Sequence, residues 1–149
     1  MPEHSYFMCL AYNEALKAFK ANETPIGCVI VYNENIIGQA YNMRNKSKNV
    51  LRHAEIIAID QACSVMGDWR LEGCRLYVTV EPCAMCAGAI IQARIDEVVY
   101  GADNPKAGCA GSVINILSEP RFNHQARIIK GVMEEKCSRL MSDFFRHFR

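Results

Sequence analysis

The chain has 149 residues, half of them apolar and 22% charged, with a formal net charge of +1. This balance suits one folded domain, residues 1–149, that buries roughly two-thirds of its unfolded surface. No run approaches the ~20 apolar residues of a membrane span, and Met1-Pro2-Glu3-His4 lacks a signal-peptide pattern, so a cytoplasmic location is expected.

The eight cysteines, at 9, 28, 63, 74, 83, 86, 109 and 137, fall mostly inside apolar segments. They are expected as small buried hydrophobes in a reducing compartment rather than as a disulfide framework. Cys83 and Cys86 are the exception, a close pair of the kind that binds a metal. Charge is uneven along the chain: residues 1–120 carry 10 Lys+Arg against 13 Asp+Glu, a net of −3, and residues 121–149 carry 7 against 3, a net of +4. Two readings stand for that basic end, a footprint for phosphates or a solvated helix face.

In chain order, residues 5–21 have helical apolar spacing after a Ser start, and Pro25 ends that region. Residues 26–32 and 36–41 are β-rich and flank Asn33-Glu34-Asn35, which predicts a hairpin. Residues 42–49 are polar and expected as a loop. A helix follows over 53–66, with Gly67 as its stop. Residues 75–80 predict a strand, Pro82 suits the first turn of a helix running to about 94, and 97–101 predict another strand. Two strand–helix–strand passages in succession favour parallel pairing with helices over the sheet. Residues 101–112 are a long Gly/Asn/Pro-rich loop, 127–132 a fifth strand, and 134–148 a last helix. The expectation is a layered α/β fold.

The chemistry concentrates in His53-Ala54-Glu55 and Glu81-Pro82-Cys83-Ala84-Met85-Cys86. One histidine and two cysteines give three soft ligands, the number of a catalytic zinc site with an open fourth position, whereas a structural zinc normally takes four. Mid-helix residues i and i+2 point about 200° apart, so His53 and Glu55 share a site only off a helix N-terminus. Cys83 and Cys86, at i and i+3 after Pro82, fit a first helical turn. Both helices are therefore expected to aim their N-termini at the metal, favouring thiolates, and a zinc held there brings the pKa of bound water to about 7. Glu55 is preferred over Glu81 as the proton carrier, because Glu81 precedes Pro82 and fits a role in the turn.

These residues resemble the signature of the zinc-dependent nucleoside and nucleobase deaminases, His-x-Glu…Pro-Cys-x-x-Cys. Further segments are similar to the bacterial tRNA-specific adenosine deaminases: Pro25-Ile26-Gly27, Tyr41-Asn42-Met43-Arg44, Trp69-Arg70-Leu71, Leu76 through Cys83, Val99-Tyr100-Gly101-Ala102, Arg121-Phe122-Asn123-His124 and Asp143-Phe144-Phe145-Arg146. The resemblance spans nearly the whole chain. It implies a three-layer cytidine-deaminase-like fold with a five-stranded mixed sheet, a homodimer, one zinc per subunit, and conversion of adenosine to inosine at the wobble position of an arginine tRNA anticodon stem-loop. It implies zinc on His53, Cys83 and Cys86. Glu55 would pass a proton from the zinc water to the purine as hydroxide attacks C6, with ammonia leaving. Asn42 would hold the flipped adenosine, and Asp103, Lys106 and Asn123 would line the anticodon-loop groove.

At 100° per residue, Cys137, Leu140, Met141, Phe144 and Phe148 form one apolar stripe, and Phe145 lies at its edge among Arg146, His147 and Arg149. An edge aromatic amid bases suits stacking on an unpaired nucleotide, and the alternative is a wider core face. Departures from the family pattern are Asn104, where many relatives have an acid, and Leu51-Arg52 before His53, where many have small residues. Relatives with a longer basic tail also exist, so fewer charges are expected to carry tRNA affinity here. Two other functions fit the same ligands. One is a guanine- or cytosine-type small-molecule deaminase, which needs no basic aromatic last helix. The other is a non-catalytic zinc module that binds RNA, which needs no Glu55.

Overall fold

The computed structural model describes residues 2–147. The elements in order are α1 (Pro2–Lys20), β1 (Gly27–Tyr32), β2 (Asn35–Tyr41), α2 (Arg44–Ser47), α3 (Ala54–Met66), β3 (Cys74–Val80), α4 (Ala84–Gln92), β4 (Glu97–Ala102), β5 (Arg127–Lys130) and α5 (Glu134–His147). The strands form one five-stranded mixed sheet in the order β2-β1-β3-β4-β5.

β1 and β2 pair antiparallel from Tyr32↔Asn35 outward. The two-residue turn between them sets Asn33 at φ 49° and Glu34 at φ 65°. Both central residues are left-handed, the turn type whose twist matches a hairpin. The register shifts between Ile30 and Val31, a bulge that leaves Ile37 without an opposite residue. β1 also pairs antiparallel with β3, while β3–β4 and β4–β5 are parallel. The predicted parallel pairing thus forms directly across α4. The β2–α3–β3 passage differs, because it vaults over β1, so β2 and β3 point the same way with one strand between them.

Side chains alternate between two apolar layers, as the two-residue period of a strand requires. Cys28, Ile30, Leu76, Val78, Val98 and Tyr100 pack with Ala54, Ala58, Ala87 and Ile90 of α3 and α4. Val29, Val31, Tyr77 and Val99 pack on the other side with Phe7, Met8 and Ala11 of α1. Helix α5 joins α1 on that face, against β4 and β3. Ile90 and Ile91 are core. The stripe predicted for the last helix is buried at Cys137, Leu140 and Phe144, and the readings at Phe148 and Arg149 lie outside the described residues.

Three elements differ from expectation. Residues 42–49 contain a short helix, α2, because the carboxylate of Glu23 takes the backbone N–H of Asn45 and Lys46 from outside the segment. Pro82 stands before α4 rather than in its first turn, since Cys83 is the N-cap. Cys9 is exposed, with its thiol 3.7 Å from Met133 Sδ. No described helix is long and apolar enough to cross a membrane.

Candidate active site

β2 and β3 both run antiparallel to β1, so their C-terminal ends open at one edge of the sheet, about 10 Å apart. The chain leaves β2 through residues 42–52, which loop out and return where Met43 N–H donates to the Arg52 carbonyl. It then enters α3 at His53. From β3 it passes Glu81-Pro82 and enters α4 at Cys83. His53 and Cys83 are the N-caps of their helices, and neither side chain makes a capping hydrogen bond. Both are therefore turned to a common centre. Cys86 is the third residue of α4 and Glu55 the second of α3, which brings first-turn side chains to the same place.

His53 Nδ1 lies 3.7 Å from Cys83 Sγ and 3.6 Å from Cys86 Sγ. Among the described residues this is the one trio of His, Cys, Asp or Glu groups whose ligand atoms all fall within 4.8 Å of one another. Nitrogen–sulfur edges of a tetrahedral zinc site come to about 3.6 Å for ordinary bond lengths, so the donor set and its spacing fit that ion. The Cys83 thiol is drawn down to about 4, first by the hydrogen bond from Cys86 and then by His53. Cys86, as the donor in that bond and deeply buried, is pushed up. His53 is raised by its hydrogen bond with Cys83. A thiolate at Cys83 is the ligand form a metal needs.

Glu55 is buried at 3% exposure, and burial pushes its carboxyl up to about 7. It lines a cavity of about 90 Å³ with Thr24, Ile26, Asn42, Arg44, His53 and Ala54. Asn42 is buried and its N–H donates to the Ile26 carbonyl, which fixes the end of β2 against the strand that precedes it in space.

Glu81 is buried too, but both its oxygens are spent. It accepts from the N–H groups of Asn104 (3.0 Å), Ala110 (2.9 Å) and Ser112 (3.0 Å), and from the Ser112 hydroxyl. Burial alone would raise its carboxyl, and these donors outweigh it and hold the group below the usual range. Glu81 therefore organises the loop after β4.

That loop carries Asp103, whose Oδ1 accepts from Tyr100 OH at 3.0 Å, and the exposed Lys106. Asn104 spends its side-chain oxygen on Ala107 N–H at 3.3 Å. Asp103 and Arg146 line an open groove of about 840 Å³ between this loop and α5. Phe145 is 51% exposed, edge-on to Phe144 at 5.5 Å. Asn123 is not brought to this region. It shares a recess with Ile91, Gln92 and Arg94 at the C-terminal end of α4, while Cys83 and Cys86 stand at the other end.

Sequence reading missed Thr24, Ile26 and Arg44 as pocket walls, and Glu23, which accepts from the backbone of Asn45 and Lys46. The bases of the 42–52 segment were the one available signal.

A helix pair that delivers one His and two Cys to a shared centre beside a buried Glu is the arrangement that the deaminase resemblance implies. The family model described as MafB19-like deaminase matches residues 2–149. A tRNA-specific adenosine deaminase of Bacillus subtilis is 49% identical over 149 residues, spanning 100% of this chain and 92% of its own length. One from Aquifex aeolicus is 42% identical over 97% of this chain and 95% of its own. A solved structure from work on A-to-I editing by tRNA:A34 deaminases superposes with a TM-score of 0.87 at 40% identity, covering 91% of this chain and 98% of that one. A guanine deaminase from Nitrosomonas europaea, at TM-score 0.80 and 18% identity over 94% and 83%, shares the fold. The chain belongs to the tRNA-specific adenosine deaminase family.

Proposed function

We propose that this chain deaminates adenosine to inosine at wobble position 34 of a tRNA anticodon, with arginine tRNA as the substrate, and that residues 1–149 act as one deaminase domain. The observation that carries this reading is the meeting of His53, Cys83 and Cys86 with a buried Glu55 on the wall of a small pocket. Family membership supplies the substrate class.

His53, Cys83 and Cys86 would hold one zinc per subunit. When bound, the metal supplies a Lewis acid that makes water acidic near neutral pH. The rest of the chemistry belongs to this chain's own side chains. Glu55, buried on the pocket wall beside His53, is the carboxyl group placed to serve as base and then as acid. It takes a proton from the attacking water and passes it to the purine ring as C6 gains oxygen. The proton of the new C6 hydroxyl then passes by way of Glu55 to the amino nitrogen, the C6–N bond breaks, and ammonia departs as the C6 carbonyl forms. Asn42 orients the extruded nucleoside at the pocket mouth. Burial of Glu55 and Ala54 keeps the proton transfer away from bulk water.

Asp103, Lys106 and Phe145 would flank the anticodon loop along the groove between the β4–β5 loop and α5. Phe145 offers a ring face for an unstacked base, and Arg146 and its neighbours supply charge to the backbone. Asn123, at the far end of α4, would reach RNA held by a second copy in a homodimer. A cytoplasmic location follows from the substrate. Inosine formation in an anticodon stem-loop RNA bearing adenosine at position 34, lost in Glu55→Ala, tests the reading. Ammonia from guanine or cytosine and none from the RNA would replace it.

A further inference from the structure

Next in the chain to Thr24 of the pocket wall is a further buried carboxylate that the chemistry above does not use. Glu23 is 1% exposed, in the turn between α1 and β1. Its Oε1 accepts from Asn45 N–H at 3.0 Å and its Oε2 from Lys46 N–H at 2.6 Å. A carboxylate receiving two backbone N–H groups is a charge-assisted clamp with fixed geometry. The segment it clamps is unusual in this chain. Residues 42–54 hold Arg44, Lys46, Lys48 and Arg52 and no acid, within a region, 1–120, that is acidic on balance. The segment is closed at its base by Met43 N–H to the Arg52 carbonyl and runs straight into His53. Its first base, Arg44, stands on the pocket wall with Glu55 and His53.

Glu23 faces inward and is covered, so it meets no substrate. Its two acceptors orient the backbone that carries Arg44 and Lys46. A free arm of four like charges would spread into solvent, and ordering it costs conformational entropy on binding unless something holds it beforehand. We infer that Glu23 is a positioning residue for the reaction: its buried carboxylate pre-orders the basic arm 42–52 so that Arg44 and the lysines meet RNA phosphates beside the target nucleotide. This rests on the RNA-deaminase reading above.

The test uses zinc-loaded protein and an anticodon stem-loop RNA with adenosine at position 34. Steady-state rates and RNA affinity at several salt concentrations are measured for wild type, Glu23→Gln, Glu23→Ala, an arm variant (Lys46→Ala with Lys48→Ala) and the arm variant combined with Glu23→Ala. Zinc content and melting temperature are followed throughout. Glu23→Ala is expected to raise KM on the order of tenfold, with kcat changed far less. It should also flatten the salt dependence of binding, by roughly 0.7 in log–log slope for each phosphate that the arm no longer neutralises. Glu23→Gln, which keeps the volume and one acceptor, should lie between, and it carries the test if Glu23→Ala melts below assay temperature. In the arm variant, adding Glu23→Ala should cost little more, because the two changes remove one shared interaction. Full additivity, an unchanged salt slope, or a fall in kcat with KM intact overturns the inference. A wild type that leaves the RNA adenosine untouched instead overturns the functional reading beneath it.

Discussion

His53 Nδ1 lies 3.6 Å from Cys86 Sγ although 33 residues separate them in sequence. The distance is set by the sheet: β2 and β3 end at the same edge with β1 between them, and each hands its chain to a helix N-cap. The alternative, a site on a helix flank, fails because His53 and Glu55 are two residues apart. The N-terminal ends of α3 and α4 are the places where these side chains converge, and there the free N–H groups favour negative charge.

Glu55→Ala is expected to keep zinc and the fold while losing activity by about 10²- to 10⁴-fold, the scale of a lost general acid–base. Metal analysis and turnover on the same preparation decide it. Activity near wild type would remove Glu55 from the mechanism.

Cys86→Ala is expected to lose zinc and to melt at a lower temperature, because metal binding is coupled to folding and the thiol fills a site with no exposure. A chelator should lower the melting temperature of wild type and leave that of the variant unchanged. Full zinc occupancy in the variant would contradict the ligand role.

Glu55 gives the zinc-stripped protein a pH signature. Its carboxyl is at about 7 when folded against an ordinary 4.5. Below about pH 4.5 both states hold the proton. Between about 4.5 and 7 the folded state keeps a proton that the unfolded chain has released, so stability falls as pH rises, by on the order of 3 kcal/mol, and is level above 7. Cys83 acts oppositely, at about 4 when folded against 9, and adds stability as pH rises between those values. Denaturant melts of chelator-treated Glu55→Gln and wild type, compared pH by pH, isolate Glu55. The variant should gain on wild type from pH 4.5 to 7, and a constant difference would refute this.

Glu81→Ala is expected to destabilise by several kcal/mol, since three backbone N–H groups lose their acceptor at about 1–3 kcal/mol each when left unpaired. Amide exchange of Asn104, Ala110 and Ser112 should accelerate. Gly108→Ala should disturb the same loop, because an added Cβ would run into the Glu81 carboxylate and lie 2.6 Å from the Asn104 carbonyl oxygen. Unchanged exchange at these amides would remove Glu81 from its organising role.

Phe145→Ala is expected to weaken anticodon-loop RNA binding by about 1–3 kcal/mol, the worth of one stacked base. Its melting temperature should barely move, because the ring is half exposed. A large thermal loss would make Phe145 a core residue.

Much of this arrangement is legible in the residues. The β-rich runs that become β1, β3 and β4, the hairpin at Asn33-Glu34, the stop at Gly67 and the grouping of His53, Cys83 and Cys86 all follow from local composition, turn chemistry and ligand type. What sequence could not show is tertiary. The helix α2 exists because Glu23, twenty-two residues earlier, accepts from it, and no local pattern announces that. Glu81 lies beside the site, yet its oxygens face a loop 23 to 31 residues away. Asn123 sits in a segment that resembles the family's, but its position is set by the packing of the β4–β5 connection against α4, which carries it away from the cluster.

The most direct measurement is incubation of purified zinc-loaded protein with arginine tRNA bearing an unmodified wobble adenosine, followed by digestion and assay for inosine, with Glu55→Ala and free guanine alongside. Inosine at that position alone, absent with the variant, is the predicted result. No inosine from the tRNA, with ammonia released from guanine or with zinc bound and no turnover of either substrate, would contradict the account.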